Sequence, residues 1–139
     1  MKRVLIDTNI ILDILLNRKE FLELSLAALK PLLEQKYHGF VAATTLTNIY
    51  YIARKETKNA ETAMMVVDKT LEWCKVAPVN RKVLDMARSS KMKDFEDAVQ
   101  AAAAKNFGID IVVTRDKEGF HHSGMQVYSP EEFLETLKQ

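Results

Sequence analysis

The sequence predicts an α/β fold in which a parallel sheet is covered by helices on both faces. Three observations carry that expectation. Short apolar runs rich in Val and Ile alternate along the chain with longer stretches of helical spacing, the pattern of successive strand–helix–strand units. No internal repeat, low-complexity segment or Pro/Gly/Ser-rich linker divides the chain. At 139 residues, with 47% hydrophobic and 28% charged side chains, it has the length and composition of one globular domain spanning residues 1–139.

Taken in order, Arg3-Val4-Leu5-Ile6-Asp7 reads as a short buried strand, and Thr8-Asn9 as the start of a helix. Ile10 to Leu16 and then Phe21 to Lys36 carry helical spacing, with Pro31 expected to kink or break the second stretch. Gly39 to Ala43 is a second strand, after which Thr44-Thr45 is expected to cap a helix to about Lys55. Asn59 to Thr62 is a helix start. Its helix is expected to place Ala63, Met64, Val67, Leu71 and Cys74 on one face. Val76 to Val79 is a third strand, and Asn80 caps Arg81 to Ser90. Asp94 opens the most regular helix, which runs to Asn106 and ends at Gly108. Asp110 to Thr114 is a fourth strand. A loop with Gly119 and Gly124 leads to a small strand at Gln126-Val127-Tyr128. Ser129-Pro130-Glu131-Glu132 then starts the last helix with a Ser N-cap, Pro at the first position and a Glu completing the capping box.

Composition narrows the function. No run approaches the roughly 18 apolar residues of a membrane span, and the apolar run at the N-terminus is too short for a signal peptide. Cys74 is the sole cysteine, so no internal disulfide forms and a reducing cytoplasm is the expected home. The net charge of +1 carries no nucleic-acid signature. The four glycines are scattered and form no phosphate-cradling loop, which argues against a nucleotide switch. His121-His122 lack a third ligand and helical spacing, and His38 reads as a loop residue.

The acids are more informative. In a parallel sheet the strand C-termini and helix N-termini share one edge, where open α/β sheets place their sites. Asp7 ends the first strand, Asp116 follows the fourth, and Asp94 and Asp97 lie in the first turn of the helix between them. At spacing i, i+3 these two project from one face, whereas Glu96 is expected to point elsewhere. Each acid alone has a plain reading as a cap or turn residue. Four together repel and raise one another's pKa unless a cation compensates them. Oxygen-only donors make that cation hard, Mg²⁺ or Mn²⁺. Such a site suits phosphodiester hydrolysis, with Thr114 placed to hydrogen-bond a metal-bound water or phosphate. Phosphotransfer through Asp7 as nucleophile is disfavoured, because Asn9 stands where a second acid is wanted.

Asp7-Thr8-Asn9, the run from Asp94 to Ala103 that begins Asp-Phe-Glu-Asp, Thr114-Arg115-Asp116 and the closing segment from Tyr128 to Phe133 together resemble the signature of PIN-domain ribonucleases, in the expected order. The resemblance implies a three-layer α/β/α sandwich around a short, mostly parallel sheet. It also implies metal-dependent endoribonuclease activity on an RNA substrate, frequent homodimers, and kinship with VapC-like toxins that an antitoxin restrains. By position, Asp7, Asp97 and Asp116 match the metal-binding acids and Asp94 an additional acid of some branches, with Asn9 and Thr114 in support. Asn48 departs from the pattern, standing where the family usually has a Glu. An amide oxygen can ligate but brings no charge, so reduced activity or RNA binding without catalysis is the alternative, and Asn48→Glu is expected to tighten Mn²⁺ binding. Arg115 is the basic residue expected to contact substrate, with Arg54, Lys55 and Lys58, or Arg88, Lys91 and Lys93, as further phosphate contacts. Asp13 is expected to be structural, through Arg18 or facing the cleft. Met64, Met65, Val66, Val67 and Trp73 form a candidate face for a second copy or an antitoxin helix.

Overall fold

Val4, Leu5 and Ile6 of strand β1 (Arg3–Ile6) are all buried, as a strand must be when helices cover both its faces. In the computed structural model, which describes residues 1–138, β1 pairs with β2 (His38–Ala42) on one side and β4 (Ile111–Val113) on the other. β3 (Lys75–Ala77) extends the sheet beyond β2, and β5 (Gln126–Tyr128) extends it beyond β4. The order is β3-β2-β1-β4-β5 and every pairing is parallel. The chain therefore grows outward from β1 in one direction and then in the other, which makes the β1/β4 junction the switch point of the sheet.

Strand alternation sorts the core into two layers. Val4, Ile6, Val41 and Val113 face a cluster with Ile10, Ile11, Leu29 and Phe133. These come from α1 (Thr8–Leu15), α2 (Leu22–Leu33) and α7 (Pro130–Leu137). Leu5, Phe40 and Val112 face the opposite side, against Ala101 and Ala104 of α6 (Phe95–Asn106). Ala42 and Ala77 continue that layer against α5 (Arg81–Arg88), through Val83 and Ala87. The alanine run of α6 lets its backbone approach the sheet closely, which brings its first turn to the strand ends. Helices α3 (Ala43–Thr57) and α4 (Ala60–Trp73) pack together beside α1, around Leu12, Ile49, Ala53, Ala63 and Val66. The result is the expected three-layer sandwich.

Local signals explain most element ends. Asn59, Asn80, Asp94 and Ser129 each accept a hydrogen bond from the third backbone N–H of their helix, and Ser129 with Glu132 completes a capping box. Gly108 takes φ +78° to end α6, a conformation that only glycine adopts without penalty.

Four expectations fail. His38 opens β2 instead of lying in a loop, and of the kink or break expected at Pro31 the break does not occur. Pro31 is buried within α2, which continues to Leu33 and packs against α7. Thr44 and Thr45 do not cap α3, which starts at Ala43 with no side-chain cap. The buried face of α4 is Ala63, Val66 and Thr70, leaving Met64 and Leu71 exposed. Thr70 is tolerated inside because its hydroxyl donates to the Val66 carbonyl at 2.8 Å.

Candidate active site

Register alone brings the first two site residues together. Ile6 pairs with Val113, so Asp7 and Thr114 are the next residues at the C-terminal edge, and the Asp7 N–H still donates to the Val113 carbonyl. The Thr114 hydroxyl donates to Asp7 Oδ2 at 2.8 Å and accepts from the Asp116 N–H at 2.9 Å. Thr114 is fully buried, and its hydroxyl is thus spent in bracing Asp7 and the turn that carries Asp116. Asp116 in turn caps the short 3-10 helix Lys117–Phe120, its Oδ1 accepting from the Gly119 N–H at 3.2 Å.

The first turn of α6 supplies the other face. Asp97 and Asp116 flank one point: a Cβ placed on Gly119 would lie 2.9 Å from an Oδ2 of each. Glycine keeps that space open. Gln100, one turn further along α6 and buried, donates its amide to Asp7 Oδ1 at 3.4 Å. Its Oε1 is buried with no hydrogen-bond partner. Asp94 is the N-cap of α6, with Oδ1 accepting from the Asp97 N–H at 2.9 Å, so one of its oxygens is already used. The structure therefore gathers Asp7, Asp94, Asp97 and Asp116 at one edge, though they are remote in sequence.

The electrostatics match that crowding. Burial, followed by the charges of Asp7, Asp94, Asp116 and Glu96, pushes the Asp97 carboxyl up to about 7. Burial also raises Asp7, against the hydrogen bonds from Thr114, Gln100 and the Thr8 backbone, while Asp116 adds to the rise.

Several residues lie elsewhere than expected. Arg115 does not face the acids. Its Nε and Nη2 donate to Asp13 at 2.7 and 3.1 Å, and its guanidinium stacks over Phe21 at 3.6 Å. Asp13 is fully buried and also accepts from Ser25 at 2.8 Å, with Arg18 at 3.6 Å, so its role is structural. Asn9 is turned to Arg18, whose Nη1 donates to its Oδ1 at 3.1 Å. Glu96 does not point away from the site: Asn48 donates to its Oε2 at 2.9 Å, and its charge bears on Asp97. Sequence reasoning missed Glu96 and Gln100; only the α3–α6 proximity and the burial of residue 100 reveal them. Arg54, Lys55, Lys58, Arg88, Lys91 and Lys93 are all exposed.

Whether a hard divalent cation suits this site can be judged from the residues. The donors are all oxygens, the Gly119 face is clear of side chain, and the amide that donates to Asp7 carries an orphaned carbonyl. Among the described residues, no three His, Cys, Asp or Glu groups stand close enough to ligate one ion as they are, so the carboxylates are gathered but splayed. The donor chemistry fits Mg²⁺ or Mn²⁺, and ligation requires the acids to draw inward.

Known proteins resemble this chain in sequence and fold. The family model described as PIN domain matches residues 3–118. Ribonuclease VapC1 of Aquifex aeolicus (strain VF5) is 27% identical over 139 residues, covering 96% of this chain and 94% of that protein. Among solved structures, FitAcB from Neisseria gonorrhoeae superposes with a TM-score of 0.69 at 22% identity, over 92% of this chain and 98% of that one. A toxin-antitoxin complex from Klebsiella pneumoniae gives 0.62 at 19% identity, over 91% and 97%.

Proposed function

The chain belongs to the PIN-domain family, and from that premise we propose that it is a divalent-metal-dependent endoribonuclease, the toxin of a toxin–antitoxin pair. One observation carries the reading: Asp97 and Asp116 flank a point that Gly119 leaves open, at the switch-point edge where Asp7 ends β1. When bound, Mg²⁺ or Mn²⁺ supplies charge neutralisation of the scissile phosphate and a bound water of lowered pKa. The chain's own residues do the rest. Asp7, braced by Thr114 and Gln100, and Asp97 and Asp116 would hold the ion, with Asp94 adding charge from the helix cap. Lys91 and Lys93, exposed just before Asp94, are the basic residues we assign to the RNA backbone in place of Arg115.

The named complex among the structural neighbours supports an antitoxin partner, and we extend the reading to a homodimer. Exposed Tyr51, Met64, Met65 and Leu71 on α3 and α4 offer apolar surface for such contacts. A lone buried thiol at Cys74, and no helix among the described residues long and apolar enough to cross a membrane, fit a cytoplasmic enzyme.

The test is incubation of labelled RNA with the protein and Mn²⁺, beside EDTA and Asp97→Asn controls. Cleavage that both controls abolish is the expected result. RNA retained without cleavage would replace the nuclease with the second reading, a weakly active or non-catalytic RNA-binding protein, which the uncharged Asn48 favours.

A further inference from the structure

We propose that Glu96 is a further carboxylate of the cation site, held in place by Asn48 and supplying the charge that residue 48 lacks. The inference rests on the metal-dependent reading above and concerns how this chain completes its donor set.

Asn48 lies on α3, which starts at the C-terminal end of β2, beside β1. From there its Nδ2 reaches across to Glu96 Oε2 at 2.9 Å. A carboxylate at position 48 would meet Glu96 as a like charge, whereas an amide presents an N–H and fixes it. One acid is thus exchanged between helices: α3 gives up the charge and α6 carries it. The bond engages Oε2 and leaves Oε1 without a hydrogen-bond partner among the described residues.

A separate observation supports a ligand beside these acids. Gln100 lies one turn beyond Glu96 on α6, is 4% exposed, and has its amide on Asp7 and its Oε1 without a partner. A buried carbonyl left bare is costly, and a water carried by a hydrated divalent ion would satisfy it. Glu96 and Gln100 are i, i+4 on one side of the helix, the first exposed and the second buried. The charge of Glu96 is also among those acting on Asp97.

The experiment is calorimetric titration of Mn²⁺ into the full chain: wild type, Glu96→Gln, Asn48→Ala, and the pairs Glu96→Gln/Asn48→Ala and Glu96→Gln/Asn48→Glu. Thermal unfolding in EDTA checks that each variant folds. Glu96→Gln is expected to weaken Mn²⁺ about tenfold or more, in the range seen when groups that orient or supplement ligands are removed. Asn48→Ala should weaken binding in the wild type and have no effect once Glu96 is Gln. Glu96→Gln/Asn48→Glu should recover affinity to within about threefold, because the charge returns from the other helix. The expectation that Asn48→Glu alone improves the site is revised accordingly, since it opposes two carboxylates.

Mn²⁺ affinity unchanged in Glu96→Gln, with Asp97→Asn abolishing it, would overturn the role of Glu96 and leave the nuclease reading intact. Failure of the wild type to bind Mn²⁺ at all would overturn both.

Discussion

Replacing Asp97 by Asn should stabilise the metal-free protein, although Asp97 is a residue the proposed activity needs. Asp97 is half-buried among four other carboxylates, which with burial lift its carboxyl from 3.8 to about 7. That interval corresponds to at most ~4 kcal/mol, at about 1.36 kcal/mol per tenfold change in proton affinity. Solvent reaches the group, so screening leaves about 1–2 kcal/mol. The sign follows from which state releases its proton first. As pH rises past 4 the unfolded chain ionises Asp97 while the fold still protonates it, so stability falls until about pH 7 and stays lowered above. An amide cannot ionise, and the variant escapes that loss. Thermal unfolding in EDTA should show the variant's advantage growing between pH 5 and pH 7 and holding at pH 8, where it amounts to about 3–8 °C. Mn²⁺ should reverse the ranking: at a hundred times its Kd the ion adds about 2.7 kcal/mol to the wild type and little to the variant. A variant that melts below the wild type in EDTA at pH 8, or an advantage independent of pH, would refute the claim that these acids stand unneutralised.

Two further perturbations separate fold from site. Gly119→Ala introduces a Cβ 2.9 Å from oxygens of both Asp97 and Asp116, at a backbone angle outside the left-handed region. The fold should therefore hold its melting temperature within about 2 °C, helped by the ~0.4–1 kcal/mol that Ala removes from unfolded-state freedom. Mn²⁺ affinity and RNA cleavage should drop at least about tenfold; undiminished binding would show that the ion sits elsewhere. Asp13→Asn should behave in the opposite way. It leaves Arg115 facing an amide in a buried pair and should cost about 3 kcal/mol in urea unfolding, with Asp13→Leu/Arg115→Met recovering much of it. An unchanged urea midpoint for Asp13→Asn would mean that the pair contributes nothing.

The sheet and the acids at its edge were legible because both follow from period and position. Alternating strands and helices dictate parallel pairing, and parallel pairing sends strand ends and helix starts to one edge. What remained hidden depends on which helices touch. Helical spacing places Glu96 off the Asp94–Asp97 line, yet α3 lies on that side and Asn48 draws its carboxylate in. Arg115, between two site residues in sequence, reads as a substrate contact until the buried acid of α1 is seen beneath it. The α4 face was misassigned because hydropathy ranks Met64 and Leu71 above Thr70, and hydropathy does not register a hydroxyl satisfied by its own helix.

The Asp13–Arg115 clamp also has a consequence for charge at the sheet edge. By engaging Arg115, it withholds that guanidinium from Asp7, Asp97 and Asp116. On the proposed function, a phosphodiester approaching the metal-free carboxylates would meet charge of its own sign, which a cation bound beforehand would offset. Cation before strand is the order this pairing would favour, though Arg115 and Asp13 would touch neither.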